Sequence, residues 1–459
     1  MQRINRDAAE RMYAVPRHYI RSAVSQETGN PGSFDPLAQE ATVVGGVSDG
    51  DLRRGRSTAC ITIAVEDDSY ICYTDGRLRL LLLLVNAGMN WRSTLQAKTR
   101  QPKFLWRMVL GIIATGILAG YAAQLIYQPA DRGESKSSEE LEPFEAVQDL
   151  AMQGKWSQLW WAIPKAEWQR LKYPGVVALA VLAGCCWLIF TLQAMQLRGW
   201  RDPKPWLALA GVCLGVLSIW PAAFFVFWQT FGWGLEESAS LIPGLRYYVF
   251  GVGLREELSK LLCLMPLMPL LVRLRSELAA LLISACVGIG FAVEENAGYF
   301  TGSGGFDAMG RYLTANPAHM TFTGLAGLAV YRAIRNPRDW GPQALATFGL
   351  IVFAHGLYDA FIGVPALAEY SLVTTIIFAG VVYQFFRELR DARERRPDTI
   401  SLTANFLCGV SLVTAAAFVY LSATVGCSTA FDFLAQGVLG LAVLVYLFLR
   451  EMPESLISV

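Results

Sequence analysis

Histidine is scarce in this chain, which has three in 459 residues: His18, His319 and His355. The nine cysteines include no Cys-x-x-Cys pair, so we expect small core side chains instead of a disulfide framework or a zinc ribbon. The net charge of +1 gives no indication of nucleic-acid binding. Charged residues make up 17% of the chain and hydrophobic residues 54%, with a mean hydropathy of +0.36. This composition predicts an all-α, polytopic membrane protein.

The first hundred residues lack a signal peptide and any segment long enough to cross a bilayer. Residues 60–65 and 70–73 predict two short strands around an acidic turn. Residues 29–56 are rich in Gly, Ser, Asp and Pro, and we expect them to be disordered. We therefore predict that residues 1–100 form a partly disordered N-terminal cytoplasmic segment.

About ten apolar segments follow, each close to the ~20 residues that a bilayer requires. They cover residues 105–127, 175–196, 206–231, 246–272, 277–300, 312–334, 343–363, 368–386, 403–424 and 430–449. Lys and Arg precede the first segment and recur in every second loop, whereas the alternate loops are acidic or neutral. Because cytoplasmic loops carry the excess of Lys and Arg, this alternation predicts that both termini are cytoplasmic.

The apolar segments suggest three further regions. Residues 101–200 hold the first two spans and an extracytoplasmic loop, whose Trp-rich part we expect to be a helix on the outer interface. Residues 201–390 form the core of the protein, and residues 391–459 form a C-terminal transmembrane hairpin.

Several core segments carry ionisable side chains, which are costly in a membrane. Glu256 and Glu257 lie in a stretch that otherwise reads as membrane-spanning, where a charged group costs about 2.5–3.5 kcal/mol at the bilayer centre. Later segments add Glu294, Glu295, His319, His355 and Asp359. At about 1.5 Å per helical residue, the predicted topology places these groups at similar depth in the outer half of the membrane. We therefore expect them to form one site.

The spacing within each segment supports this site. Lys260 lies four residues after Glu256 and three after Glu257, so its ammonium group can face either carboxylate on a helix. His355 and Asp359 are also four residues apart, so both side chains point toward one partner.

Four motifs on successive segments carry a resemblance to a known family. They are Glu256-Glu257-x-x-Lys260, Phe291-x-x-x-Glu295-Asn296, His319, and His355-x-x-x-Asp359. Together they resemble the PrsW intramembrane proteases, within the superfamily of CAAX-processing and bacteriocin-immunity membrane proteases. The resemblance covers about residues 205–390. It implies that the core is a protease that cleaves membrane-anchored proteins, such as an anti-sigma factor, in a cell membrane such as the bacterial inner membrane.

The chemistry can be argued from the same residues. Amide hydrolysis requires an activated water, a stabilised oxyanion and a proton for the leaving amine. No Ser-His-Asp set suggests itself, whereas a carboxylate in low-dielectric surroundings is a stronger base than in water. We predict that Glu256 is this base and that Glu257 and Lys260 set its charge.

The remaining motif residues receive supporting roles. We expect Glu295 and His319 to assist in positioning or protonation, with Asn296 beside them. We expect His355, oriented by Asp359, to bind the oxyanion or to move the proton.

A second mechanism uses a metal. His319 and His355 with Glu256 and Glu295 form a possible zinc ligand set that leaves one position for water. The chain has no His-Glu-x-x-His motif. The superfamily pattern favours a glutamate-activated water, so we expect no cofactor and keep zinc as the alternative.

Two other classes of function fit intramembrane charges. A transporter or channel uses such groups to bind ions or relay protons, often within inverted repeats. The C-terminal half has no second Glu-Glu-x-x-Lys segment, which counts against that class. A non-catalytic relative that only binds a partner is the other alternative, and the complete set of polar motif residues favours an active enzyme over it.

Overall fold

The computed structural model describes residues 45–46, 60–65, 69–73, 94–127, 142–197, 202–393 and 400–452. The chain divides into two units, Met1–Thr94 and Leu95–Val459. Within the first unit, β1 (Gly45–Gly46), β2 (Cys60–Val65) and β3 (Ser69–Tyr73) form an antiparallel sheet in that order. The strands β2 and β3 coincide with the two strands predicted from the sequence. The disorder predicted for 29–56 falls, apart from β1, outside the described residues.

The regular elements described in the second unit are all helices. Its α-helices are α1 Pro102–Ile126, α2 Glu142–Met152, α3 Trp156–Glu167, α4 Pro174–Ala194, α5 Lys204–Leu217, α6 Ile219–Phe227, α7 Leu241–Arg246, α8 Leu254–Leu264, α9 Met268–Leu274, α10 Glu277–Ser303, α11 Ala308–Leu313, α12 Ala315–Arg335, α13 Pro337–Gly363, α14 Leu372–Ala392, α15 Leu402–Val425 and α16 Cys427–Glu451. Trp228–Gly232 and Tyr247–Gly253 are π-helical, and Trp168–Lys172, Met265–Leu267 and Pro365–Tyr370 are 3-10 helices.

Among the described residues, seven helices are long and apolar enough to cross a membrane. They are α1, α4, the continuous stretch Lys204–Gly232, α10, α13, α14 and α15. The helix α16 is an eighth if its two halves, bent by 50°, form one span. The predicted segments 246–272 and 312–334 are not among these helices, so the number of ten is not confirmed. The cytoplasmic location of both termini stays a prediction.

The segment 246–272 is broken into several short pieces, and its sequence explains two of the breaks. Pro266 and Pro269 each lack a backbone N–H and interrupt the helical hydrogen bonding after α8. Before α8, the π-helix Tyr247–Gly253 lies directly against the backbone of α13. A Cβ added at Gly356 would lie 2.4 Å from the Val249 Cα, so only glycine permits this contact. The contact brings the start of α8 beside the C-terminal half of α13.

The helix α10 is the centre of the second unit, and most of its spanning part is buried. It packs against α12 at Gly288, where an added Cβ would lie 2.1 Å from the carbonyl oxygen of His319. Two backbones therefore meet without intervening side chains, which fixes the depth of α12 relative to α10.

The Trp-rich region forms the helix that the sequence predicts. The helices α2 and α3 pack against α6, where the Trp160 ring stacks on Trp220 with centroids 4.9 Å apart. Trp220 Nε1 also donates a hydrogen bond of 2.7 Å to the Trp160 carbonyl oxygen. The Trp161 side chain remains 70% exposed. The location of this helix at the outer interface stays a prediction.

Candidate active site

The structure brings the predicted site residues together where α8, α10, α12 and α13 meet. Each helix contributes the side chains of one motif: Glu256, Glu257 and Lys260 from α8, Glu295 and Asn296 from α10, His319 from α12, and His355 and Asp359 from α13. Hydrogen bonds and ion pairs connect these side chains into one network.

Lys260 lies at the centre of the network and is fully buried. Its Nζ donates to Glu257 Oε1 at 2.7 Å and to His319 Nδ1 at 2.8 Å. The same atom lies 3.6 Å from Glu256 Oε2 and 4.0 Å from the centroid of the Phe291 ring. A buried ion pair is stable only if its donors and acceptors are satisfied, and Lys260 has a partner for its ammonium on each side. The lysine therefore holds the two helices α8 and α12 in a fixed relation.

The hydrogen bonds determine which ring nitrogen of His319 carries its proton. Because Lys260 donates to Nδ1, that nitrogen accepts, and Nε2 carries the proton. The Nε2–H group donates to Glu295 Oε2 at 2.8 Å. Both nitrogens of His319 are thus engaged within the protein.

His355 has the opposite arrangement. Its Nδ1 lies 2.8 Å from Glu257 Oε1, and since a carboxylate only accepts, Nδ1–H is the donor. Its Nε2 lies 3.4 Å from Asp359 Oδ2 and 3.7 Å from Glu256 Oε2. Glu256 Oε2 is buried and has no hydrogen-bond partner among the described residues. Two carboxylate oxygens and one imidazole nitrogen therefore converge, an arrangement that can bind a cation or orient a water.

These residues fit a divalent metal ion. One ligand atom each from Glu256, His319 and His355 lies within 4.8 Å of the others, and carboxylate and imidazole are donors that zinc accepts. The bond from His355 Nδ1 to Glu257 is the outer contact that orients metal-binding histidines. His319 fits less directly, because it must release Lys260 or Glu295 before it can bind a metal.

A cavity of about 420 Å³ opens onto these atoms. Its wall includes Glu256, Glu295, His319, His355 and Asp359. The volume is within the range of about 300–1,000 Å³ typical of ligand pockets. Both carboxylate and imidazole groups are thus accessible to a bound molecule.

Arg311, on the short helix α11, joins the site although none of the sequence motifs includes it. Its Nη2 donates to Glu295 Oε2 at 2.7 Å, its Nε donates to Asn296, and its guanidinium lies 3.7 Å from the Tyr299 ring centroid. Asn296 in turn donates to Asn316 Oδ1 at 2.9 Å. A signal was present: Arg311 is a basic residue in a predicted outer loop, where the charge pattern of the other loops leads us to expect few.

One comparison with known proteins gives a match. Residues 203–384 match the family model described as PrsW family intramembrane metalloprotease. No curated protein and no solved structure matches the chain. The match supports the PrsW family and an intramembrane protease, and together with the apolar helices it supports a multi-pass membrane protein. Membership of the wider CAAX-protease superfamily stays a prediction.

Proposed function

We propose that this chain is an intramembrane endopeptidase that hydrolyses a peptide bond of a membrane-anchored protein. The observation that carries the proposal is the convergence of Glu256 Oε2, His355 Nε2 and Asp359 Oδ2 at a cavity within a membrane-spanning bundle. Amide hydrolysis needs such acceptors to orient and deprotonate a water.

Glu256 is the proposed base. Within the part of the chain that the structure describes, its Oε2 has no hydrogen-bond partner, so it is available to take a proton from a water in the cavity. Lys260 Nζ lies 3.6 Å from this oxygen, while Glu257 accepts from both Lys260 and His355 and so holds their orientation. The Nε2 atom of His355 is the proposed relay that passes the proton to the leaving amine.

In this proposal Glu295 and His319 do not contact the reacting atoms directly. His319 links Lys260 to Glu295, and Arg311 holds Glu295 from the other side. Asn296 is anchored by Arg311 as well. We assign these residues to positioning of the base and of the cavity wall.

A metal is the second form of this proposal, and the description of the matched family favours it. When bound by Glu256, His319 and His355, a zinc ion supplies Lewis-acid polarisation of the carbonyl and activation of water. Asp359 then remains as a free carboxylate beside His355. The metal-free expectation from the sequence and this alternative use the same side chains.

The proposed substrate is a transmembrane or otherwise membrane-anchored protein, with an anti-sigma-factor-like protein as the class that the family resemblance suggests. The lipid bilayer is the second partner, and we propose no nucleic-acid partner. The proposed location is a cell membrane, with the bacterial inner membrane as the prediction from the resemblance.

The test is cleavage of single-span model substrates in reconstituted vesicles. We compare wild type, Glu256→Gln and His355→Ala, each with and without a strong chelator, with Glu236→Gln as a control at an exposed Glu-Glu pair. Loss of about 10²–10⁴-fold in both site variants, with the control unchanged, is the expected result. Loss of wild-type cleavage on chelation, restored by zinc, assigns the metal form, and indifference to chelation assigns the glutamate form. Undiminished cleavage by Glu256→Gln would overturn the site.

A further inference from the structure

The proposed site is rich in acceptors, but hydrolysis also requires a donor. As water adds to a peptide carbonyl, negative charge develops on the oxygen, and enzymes stabilise it with fixed N–H groups. From the sequence we expect His355 to bind this oxyanion or to move the proton. In the structure its N–H group donates to Glu257, so it points away from the cavity's acceptor cluster.

Lys260, His319 and Arg311 also direct N–H groups to partners inside the protein. The partners are Glu257 and His319 for Lys260, Glu295 for His319, and Glu295 and Asn296 for Arg311. None of these N–H groups can turn to a substrate oxygen without breaking a contact that orders the site.

Arg255 differs from them. Arg255 lines the cavity next to Glu256, yet only 8% of its surface is exposed. Its Nε has no hydrogen-bond partner among the described residues, and its Nη1 makes a single long bond of 3.4 Å to Gln229 Oε1. Its Nη2 lies 4.0 Å from Oε1 of Glu256, a distance too long for a hydrogen bond. A buried guanidinium with unused donors is costly, which indicates that a ligand completes it.

Two π-helical segments hold Arg255 in place. Gln229, in Trp228–Gly232, accepts from Arg255 and donates its own Nε2–H to the Phe250 carbonyl oxygen at 3.1 Å. Phe250 lies in the second π-helix, Tyr247–Gly253. Single π turns are frequent at functional sites, because they redirect backbone groups that an α-helix would hold. The arginine is therefore oriented before any substrate binds.

We propose that Arg255 is a catalytic residue that donates N–H groups to the carbonyl oxygen of the scissile peptide bond. This inference rests on the proposed function. Water oxygen bonds to the carbonyl carbon, the C=O electron pair moves onto the oxygen beside Arg255, and the water proton goes to Glu256. The C–N bond then breaks as the C=O bond re-forms, and the amine leaves with that proton. Arg255 stays protonated throughout, as a guanidinium does in proteins.

The test compares Arg255→Gln and Arg255→Lys with Arg246→Gln, which removes the same charge from an exposed position. We expect Arg255→Gln to lower kcat by about 10²–10³-fold with little change in KM. Arg255→Lys recovers part of the loss, because it keeps the charge but not the fork of donors. The control retains wild-type kinetics.

A peptide phosphinate, which mimics the tetrahedral oxyanion, supplies a binding readout. Across the Arg255 variants its Ki should rise in proportion to the fall in kcat/KM. A raised KM with unchanged kcat, reversed by amidating the substrate's C-terminus, would instead make Arg255 a receptor for a substrate carboxylate and overturn the proposal.

If Arg255→Gln does not fold, a second variant tests the same role. Gln229→Leu shifts the arginine without removing it, and we expect about a tenfold loss of kcat. An unchanged kcat would overturn the proposal.

Glu256→Gln separates this inference from the function on which it rests. Cleavage that survives Glu256→Gln contradicts the site as a whole. Cleavage that is lost in Glu256→Gln but retained in Arg255→Gln contradicts only the role of Arg255.

Discussion

The site and the terminal helices of the second unit are built in different ways. At the site, α8, α10, α12 and α13 are joined by buried ionisable groups, with Glu257 1% and Lys260 0% exposed. The helix α15, the last but one of the second unit, contains no charged residue and packs against α1 and α4 through small and aromatic side chains. Gly116 against Ala415 is one such contact. Apolar contacts are non-directional and can shift, whereas a charged network fails when one partner is removed.

Removing Lys260 should have the largest effect on stability. In Lys260→Met, Glu257 keeps its burial but loses the cation at 2.7 Å, and breaking a buried pair costs about 3–5 kcal/mol. We expect a markedly lower melting temperature in detergent and early exposure of the buried thiol of Cys286 to a reactive dye.

The double variant Lys260→Met/Glu257→Gln sharpens this prediction. Glutamine removes the uncompensated charge and can still accept from His355 Nδ1, so we expect most of the lost stability to return. Cleavage should remain absent, because the orientation of Glu256 and His319 is not restored. A Lys260→Met single variant as stable as wild type would show that the network is not a unit.

The second largest effect on stability should come from the close contact at Gly288. An added Cβ would lie 2.1 Å from the carbonyl oxygen of His319, so Gly288→Ala must move α12 away from α10. Overpacking of this kind costs about 1–3 kcal/mol, and the displaced His319 should lower cleavage as well. Gly349→Ala on α13 is the control, since an added Cβ there has no neighbour within 4 Å among the residues whose placement is described. Equal effects at the two glycines would contradict this account.

Much of the site could be predicted from the sequence, because a charge within an apolar segment is visible without knowledge of its partner. The prediction that four helices contribute to the site came from the spacing of these charged residues and from their predicted depth in the membrane. Arg255 and Arg311 were not assigned to the site, since their partners come from separate elements: Gln229 for the first and Glu295 for the second. No local pattern in the chain specifies such pairs.

The breaks in the fold were harder to predict. Hydropathy indicates that 246–272 is largely apolar, but the π-helix at its start depends on the backbone contact of Gly356 with Val249. The apolar helices α1, α4 and α15 correspond closely to their predicted segments, because length and composition alone are sufficient for them.

A smaller loss of stability is expected where α1 packs against α15. At Gly116 an added Cβ would lie 2.5 Å from Ala415 Cβ, so Gly116→Ala should separate α1 from α15 slightly and cost about 1 kcal/mol. Cleavage per folded molecule should not change, since no site residue lies on either helix. Activity is measured at matched folded fraction, and a fall in kcat comparable to that of Gly288→Ala would remove the distinction between the two regions.

The smallest effect should come from the ion pair between α14 and α16. Arg390 Nη1 lies 3.1 Å from Glu451 Oε2, and the arginine side chain is 32% exposed. Exposed pairs contribute about 0–1 kcal/mol, because water solvates the charges when the pair is broken, and both Arg390 and Glu451 are more exposed than Lys260 and Glu257. Arg390→Gln should therefore leave the melting temperature nearly unchanged and cleavage intact. This variant and Lys260→Met each remove one cation from a carboxylate. The difference between their losses in unfolding free energy therefore measures the cost of leaving a buried charge without water. Similar losses for both would mean that water reaches the Lys260 network, and its role as a rigid support would have to be abandoned.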